Sequence, residues 1–144
     1  MNSTPYNNYP WREKKLNFKS RRQYNSNMIK AEQIVAGSLY FLLAQTLVWF
    51  MNNSQFAWDW WKDKPITTCL IYAFPASLFF WYGSKYSYAG LGDAWGSRLL
   101  GFGLSYLTFP VLTYIFLHES MFTPKTLSCV FLSVCIIMIQ VFWR

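Results

Sequence analysis

From residue 34 onward, long apolar stretches alternate with short polar breaks. Four of these stretches contain no Asp, Glu, Lys or Arg, and they cover residues 34–51, 66–82, 99–117 and 127–143. A helix that spans a bilayer needs about 20 mostly apolar residues, with a usable range of roughly 17–25. None of the stretches shows the polar face that a soluble helix would need. The pattern therefore predicts an all-α integral membrane protein with four transmembrane helices.

The third helix is expected to begin before its apolar stretch does. Residues 88–105, "YAGLGDAWGSRLLGFGLS", place Asp93 and Arg98 among small residues. A helix over residues 92–117 would have about 26 residues and a length of about 39 Å, against a hydrocarbon core of about 30 Å. The surplus holds Asp93 at the inner headgroup depth, where it complements the helix dipole, and lets Arg98 extend towards water.

The ends of the other spans carry recognisable helix signals. Pro65 is expected at the start of the second helix, and Thr123 and Pro124 are expected as the N-cap and first position of the fourth. The predicted transmembrane spans are thus about 34–51, 66–82, 92–117 and 126–143.

The charge distribution predicts how the chain is oriented. The formal net charge is +7, and residues 1–33 form a basic, polar tail that is expected to be disordered or to lie on the membrane surface. If the N-terminus is cytoplasmic, that side holds ten Lys and Arg residues and the other side holds three. The positive-inside rule therefore places both termini in the cytoplasm, in a plasma or inner membrane.

The composition excludes several classes of function. Charged residues make up 13 % of the chain, against about 25 % in soluble domains. The cysteines, Cys69, Cys129 and Cys135, lie in apolar surroundings without metal-ligand spacing. No nucleophile or carboxylate pair lies near the membrane, so we expect no enzyme, metal or cofactor. Orientation signals explain the bases of the tail, so nucleic acid is not expected as a partner.

Small residues recur at four-residue spacing, which lets helix backbones approach closely in lipid. The sets are Gly92 with Gly96, Ser97 with Gly101 and Ser105, and Ala73 with Ser77. They predict tight helix packing, either inside one bundle or between two copies of the chain.

The layout resembles a known family. Four short spans, both termini inside and a Gly-rich third helix are similar to the small multidrug resistance proteins and to half-length members of the drug/metabolite transporter superfamily. The similar segments are "LAQTLVWF", "YSYAGLGDAWGSRLLGFG" and "FLHESMFTPKTLSCVFLSVCIIMIQVFW". The resemblance covers about residues 28–144 and leaves the tail outside.

The resemblance implies a homodimer that transports a small molecule, whose identity the sequence does not give. Trp95 occupies the place of the aromatic residue that lines the pocket in that family. The family's acidic residue in the first helix is absent, and Gln45 is the polar residue nearest that level. Gln45, Trp95 and Asp93 are thus the candidate substrate-binding residues. The alternative is a non-transporting membrane protein, either an assembly subunit or a small pore- or lesion-forming protein of the viral type.

Overall fold

A computed structural model describes the backbone of residues 10–120 and 122–142, with side chains described at residue 23 and from residue 25 on. This part of the chain contains four α-helices and a short 3₁₀ turn at Asp59–Trp61, and no strands. The helices are α1 (Pro10–Ala57), α2 (Pro65–Leu91), α3 (Ala94–Leu117) and α4 (Pro124–Phe142). All four are long and apolar enough to cross a membrane. The prediction of an all-helical, multi-pass membrane protein in contact with the lipid bilayer is confirmed.

The first helix is much longer than its predicted span of 34–51. It has 48 residues, which corresponds to about 72 Å, more than twice the hydrocarbon thickness of about 30 Å. Residues 10–33 are helical, whereas the polar composition predicts a segment that is disordered or lies on the membrane surface. Lys, Arg, Gln and Glu are good helix formers, and no Gly or Pro interrupts residues 11–36. Residues 1–9 of the predicted tail lie outside the described part of the chain.

The connection between α2 and α3 is a turn of only two residues. The predicted second span ends at residue 82, but α2 continues to Leu91. Gly92 follows with a left-handed φ of 89° and donates its N–H to the Tyr88 carbonyl. Asp93 then caps α3 by accepting a hydrogen bond from the Gly96 N–H. Gly92 therefore ends a helix, as glycine commonly does in this conformation, and no described atom beyond its chain neighbours lies within 4 Å of a Cβ built on it.

The first two helices approach each other most closely through small residues that the four-residue spacing pattern did not select. A Cβ added to Gly37 of α1 would lie 2.7 Å from the backbone nitrogen of Ser87 in α2. A Cβ on Gly83 would lie 2.7 Å from the Phe41 ring. Such contacts require glycine because real Cβ atoms essentially never approach so closely. The α1–α2 pair is thus an antiparallel hairpin joined nearly backbone to backbone.

The remaining helices pack around this hairpin. α3 contacts both α1 and α2, whereas α4 packs mainly on α3. Phe41, Leu100 and Leu104 form a buried apolar cluster between α1 and α3. Near the other end of the bundle, the buried Trp49 indole of α1 donates to the Thr113 hydroxyl of α3 at 3.0 Å. α1 is therefore the central helix of the described bundle.

The predicted packing residues have different environments. Gly96, Ser97 and Gly101 are buried on α3, and Ser105 is half-buried. Ala73 is half-buried, but Ser77 is exposed and bonds to the Ala73 carbonyl of its own helix. The Ala73–Ser77 pair therefore does not form a helix contact inside this bundle through Ser77.

Candidate binding site

A cavity of about 720 Å³ lies between α1, α2 and α3, and we call it the chamber. This volume falls in the range of about 300–1,000 Å³ that is typical of small-molecule sites. Its lining residues are Phe41, Gln45, Phe80, Trp81, Ser84, Lys85, Tyr88, Ala94, Ser97, Arg98, Gly101 and Phe102. Trp81, Lys85, Tyr88 and Arg98 are exposed. The chamber therefore opens to the surface at the end of the bundle where α2 turns into α3.

The deep wall of the chamber carries one side-chain amide. Gln45 is half-buried, and its amide nitrogen donates to the Gly101 carbonyl at 3.4 Å. The bond joins α1 to α3, as expected of a polar side chain in hydrocarbon. No described group donates a hydrogen bond to the Gln45 Oε1 in return. The Nε2 atom thus holds the side chain in place, and Oε1 can accept a hydrogen bond from a ligand.

Two cations line the mouth of the chamber. The Lys85 ammonium lies 5.3 Å from the centroid of the Trp81 ring, and the Arg98 guanidinium lies 5.0 Å from that of the Phe102 ring. Cation–π contacts of this kind hold a cation without neutralising it. Among the side chains that the structure describes, no carboxylate pairs with either cation, and none lines the chamber. The electrostatic character of the mouth is therefore positive.

Serine hydroxyls join α2 to α3 beside this mouth. The Ser87 and Ser97 hydroxyls form a short hydrogen bond with each other, and both are buried. Ser87 also donates to the Gly83 carbonyl at 2.7 Å, and Ser97 lies 3.5 Å from the Ser84 carbonyl. This network fixes the relative position of the two helices, and with it the positions of Lys85 and Arg98.

The three candidate substrate-binding residues do not lie together. Gln45 lines the chamber, but Trp95 is 77 % exposed and is not one of the lining residues. Asp93 is exposed, and its carboxylate is used to cap α3. The aromatic walls of the chamber are formed by other residues, and the interpretation of Trp95 as a pocket aromatic stays a prediction. The expected position of Asp93 at the start of the third helix agrees with its role as the N-cap.

The cations and the aromatic walls of the chamber were not identifiable as a site from the sequence pattern. Lys85 and Arg98 are thirteen positions apart, and each has a simple explanation as a charge at the end of a span. The one available signal is the spacing of Trp81, Lys85 and Tyr88, which are four and three residues apart and therefore lie on one helix face. That signal holds only if α2 continues beyond Tyr82, and the polar residues that follow Tyr82 in the sequence predict that the span ends there.

No family model, no curated protein and no solved structure matches this chain. The resemblance to small multidrug resistance and drug/metabolite transporter proteins therefore stays a prediction. Among the described residues, no group of His, Cys, Asp and Glu side chains could hold a metal ion. What the chamber offers chemically is an apolar, aromatic pocket with an amide at its deep wall and two cations at its mouth.

Proposed function

We propose that this membrane protein transports a small amphipathic molecule through the chamber, and that it works as a homodimer. The observation that carries the proposal is the chamber, with its amide and its two cations, within a bundle of membrane-length helices. A purely structural bundle gains most by packing its helices fully, because dispersion contacts drive helix association in lipid. The helices around a cavity of about 720 Å³ lack those dispersion contacts, and the cavity is lined by a side-chain amide.

The depth of the chamber supports a route into the membrane. It extends from Ala94 at the start of α3 to Gly101, which is seven residues further along the helix. At 1.5 Å per residue this is about 10 Å, roughly a third of the hydrocarbon thickness. Gln45 lies at the deeper level, where it can bind a polar group that has left the headgroup region.

The weak packing of α4 supports the dimer. Its contacts are mainly with α3, so Phe131, Val134 and Met138 stay exposed in the single chain. These residues lie on one face at three- and four-residue spacing. A second copy of the chain that packs there would bury this face.

The orientation follows from the positive-inside rule. The α2–α3 turn lies on the same side as the N-terminal part of α1, because α1 and α2 are antiparallel and consecutive. With the N-terminus in the cytoplasm, the mouth of the chamber faces the cytoplasmic headgroups. A molecule would then enter from the inner leaflet or from the cytoplasm.

Reconstitution tests transport directly. Purified protein in liposomes is assayed for flux of a panel of cations, amines, anions and metabolites. We compare wild type with Gln45→Ala and with the control Thr46→Ala, whose hydroxyl bonds only to the Leu42 carbonyl of its own helix at 2.8 Å. Loss of one hydrogen bond in the chamber is expected to lower flux about three- to tenfold, while the control keeps wild-type flux. A verified dimer that moves no member of the panel would refute transport.

A non-transporting assembly subunit is the second candidate, and the length of α1 favours it. A helix of 48 residues leaves a long segment beyond the membrane, and such a segment is available for a partner protein. If wild-type protein shows no flux but co-purifies from its host with a stoichiometric protein partner that is lost on truncation of residues 1–24, the assembly role replaces the transport role.

A further inference from the structure

We infer that the chamber selects an amphiphilic anion: an apolar chain that ends in an oxyanion such as a phosphate monoester. Lys85 and Arg98 bind the oxyanion at the mouth, and the aromatic walls bind the chain. The inference rests on the proposed function, because it names the class of molecule that the chamber takes.

The charge balance of the chamber carries the inference. Two of its lining side chains are cations, and no carboxylate in the described part of the chain lines it or pairs with them. The nearest acid in sequence, Asp93, is exposed and its carboxylate accepts the Gly96 N–H at the start of α3. An incoming cation would meet two positive charges without compensation in a medium of reduced dielectric constant, where like charges repel strongly. An incoming anion would neutralise them.

Neither cation has the arrangement expected of a side chain that merely extends to water. A lysine or arginine near the end of a membrane helix usually directs its charged group away from the apolar region. Lys85 and Arg98 instead both line the chamber, each against an aromatic ring that also lines it. The ring faces occupy one side of each cation, so the remaining N–H groups are free to bind an oxyanion. Arginine in particular presents a planar set of donors that matches phosphate or carboxylate oxygens.

The walls below the cations fit an apolar chain. Phe41, Phe80 and Phe102 line the chamber together with the backbone of Gly101. Phe41 is almost completely buried, and it packs against Gly83 and Gly101, so this wall is rigid. An alkyl chain that enters along it reaches the Gln45 amide after roughly 10 Å. The order from the mouth inward is thus charged and then aromatic, which matches the head and the chain of an anionic amphiphile, and the weakly polar Gln45 amide lies beyond the aromatic walls.

The test is equilibrium binding to the purified full-length chain in a neutral maltoside detergent, with radiolabelled dodecyl phosphate as the probe. The variants are Lys85→Gln and Arg98→Gln, and the matched control is Lys125→Gln, an exposed lysine at the start of α4 far from the chamber in sequence. Loss of either chamber cation is expected to weaken binding about tenfold, since one charge-assisted hydrogen bond corresponds to roughly that factor. The control is expected to bind like wild type. Lys85→Arg and Arg98→Lys keep the charge and should retain most of the affinity, which separates a charge effect from misfolding.

Competition experiments distinguish the sources of the anion. Displacement of the probe by phosphatidic acid, with no displacement by phosphatidylcholine of the same chains, supports a membrane lipid. Binding of dodecyl phosphate without displacement by either lipid supports a soluble single-chain amphiphile. Displacement by inorganic phosphate at the same concentration as dodecyl phosphate would overturn the inference, because the apolar walls would then contribute nothing.

Two further outcomes separate this inference from the proposed function. If dodecyltrimethylammonium binds more tightly than dodecyl phosphate and its binding depends on Gln45, the chamber is a binding site and the anionic class is wrong. If neither amphiphile binds to folded protein, the inference and the proposed function both fail.

Discussion

Replacing Thr113 by valine removes a single buried hydrogen bond that joins α1 to α3. The Trp49 indole nitrogen donates to the Thr113 hydroxyl at 3.0 Å, and the indole is only 2 % exposed. Valine has nearly the same shape as threonine but cannot accept the bond. The substitution therefore leaves a buried donor without a partner, at a contact between residues 64 positions apart in the chain.

The size of the effect follows from that burial. Hydrogen bonds between helices in membrane proteins contribute about 0.6 kcal/mol on average and up to about 1.7 kcal/mol. A buried donor that loses its partner costs about 1–3 kcal/mol. Because the Trp49 ring is enclosed by Phe50 and Phe116, it cannot turn towards water. We expect Thr113→Val to lower the free energy of unfolding by about 1–2 kcal/mol.

The control is a second threonine-to-valine substitution on α3, at Thr108. The Thr108 hydroxyl donates to the Leu104 carbonyl of α3 itself at 2.9 Å, so Thr108→Val breaks no contact between helices and should change stability by less than about 0.5 kcal/mol. Both variants are unfolded reversibly with sodium dodecyl sulfate in mixed micelles, and helix content is followed by circular dichroism. A cycle with Trp49→Phe measures the coupling between Trp49 and Thr113 directly, and we expect about 1 kcal/mol.

Equal unfolding free energies for Thr113→Val and Thr108→Val would refute this account of the α1–α3 contact. A coupling energy of zero in the cycle would do so as well, because the two side chains would then act independently.

Three other predictions test the packing, the orientation and the dimer. Gly37→Ala should destabilise the bundle by about 1–2 kcal/mol, because the new Cβ would lie 2.7 Å from a backbone atom of α2. The control Gly101→Ala should not destabilise it, because its new Cβ would make contacts of 3.4 Å or more. Thermal unfolding in micelles compares the two variants, and equal unfolding midpoints would contradict the close approach of α1 and α2. In a chain whose native cysteines are replaced by alanine, Ser26→Cys should react with a membrane-impermeant thiol reagent only from the cytoplasm and Ser120→Cys only from outside; the reverse pattern would invert the topology. In the same chain, Phe131→Cys on α4 should form a disulfide between two copies under mild oxidation, and a strictly monomeric product would argue against a dimer through this helix.

The number and approximate position of the membrane helices were predictable from the sequence because charge is excluded from them. The stretches without Asp, Glu, Lys or Arg lie within the four helices, apart from Trp143, which is outside the described residues. The starts of two helices were equally predictable. α2 begins at Pro65, and α4 begins at Pro124, where the Thr123 hydroxyl accepts a hydrogen bond from the Thr126 N–H. Proline at the first helical position is a local signal that needs no tertiary information.

Helix ends near the headgroups were not predictable in the same way. Ser84, Lys85 and Ser87 in α2 lower the apolar content that marks a span, yet the chain stays helical to Leu91. The reason is packing, since Gly83, Ser87 and Gly90 contact α1 along this segment. The spacing of these three residues is a stripe of small residues that could have been recognised from the sequence.

The candidate site was predictable only in part, because its residues come from three helices. Gln45 was identifiable as a lone amide in an apolar stretch. Lys85 and Arg98 line the same chamber because of the two-residue turn at Gly92 and Asp93 and the rotation of α2 and α3 about their axes. Trp95 lies early in α3, where the resemblance predicts a pocket residue, and it is 77 % exposed in the single chain.

The proposed function requires that the chamber is open to water and polar molecules at the depth of Gln45. Gln45 and Leu43 differ in depth by only about 3 Å on α1, but Gln45 lines the chamber while Leu43 is 50 % exposed on the outer surface of the bundle, where lipid lies. Each is replaced by cysteine in a chain that lacks Cys69, Cys129 and Cys135, and the rate of labelling by a polar, membrane-impermeant thiol reagent is measured in lipid nanodiscs. We predict that Gln45→Cys is labelled and that Leu43→Cys is not. Equal protection of both cysteines would contradict the chamber, and with it the proposed function.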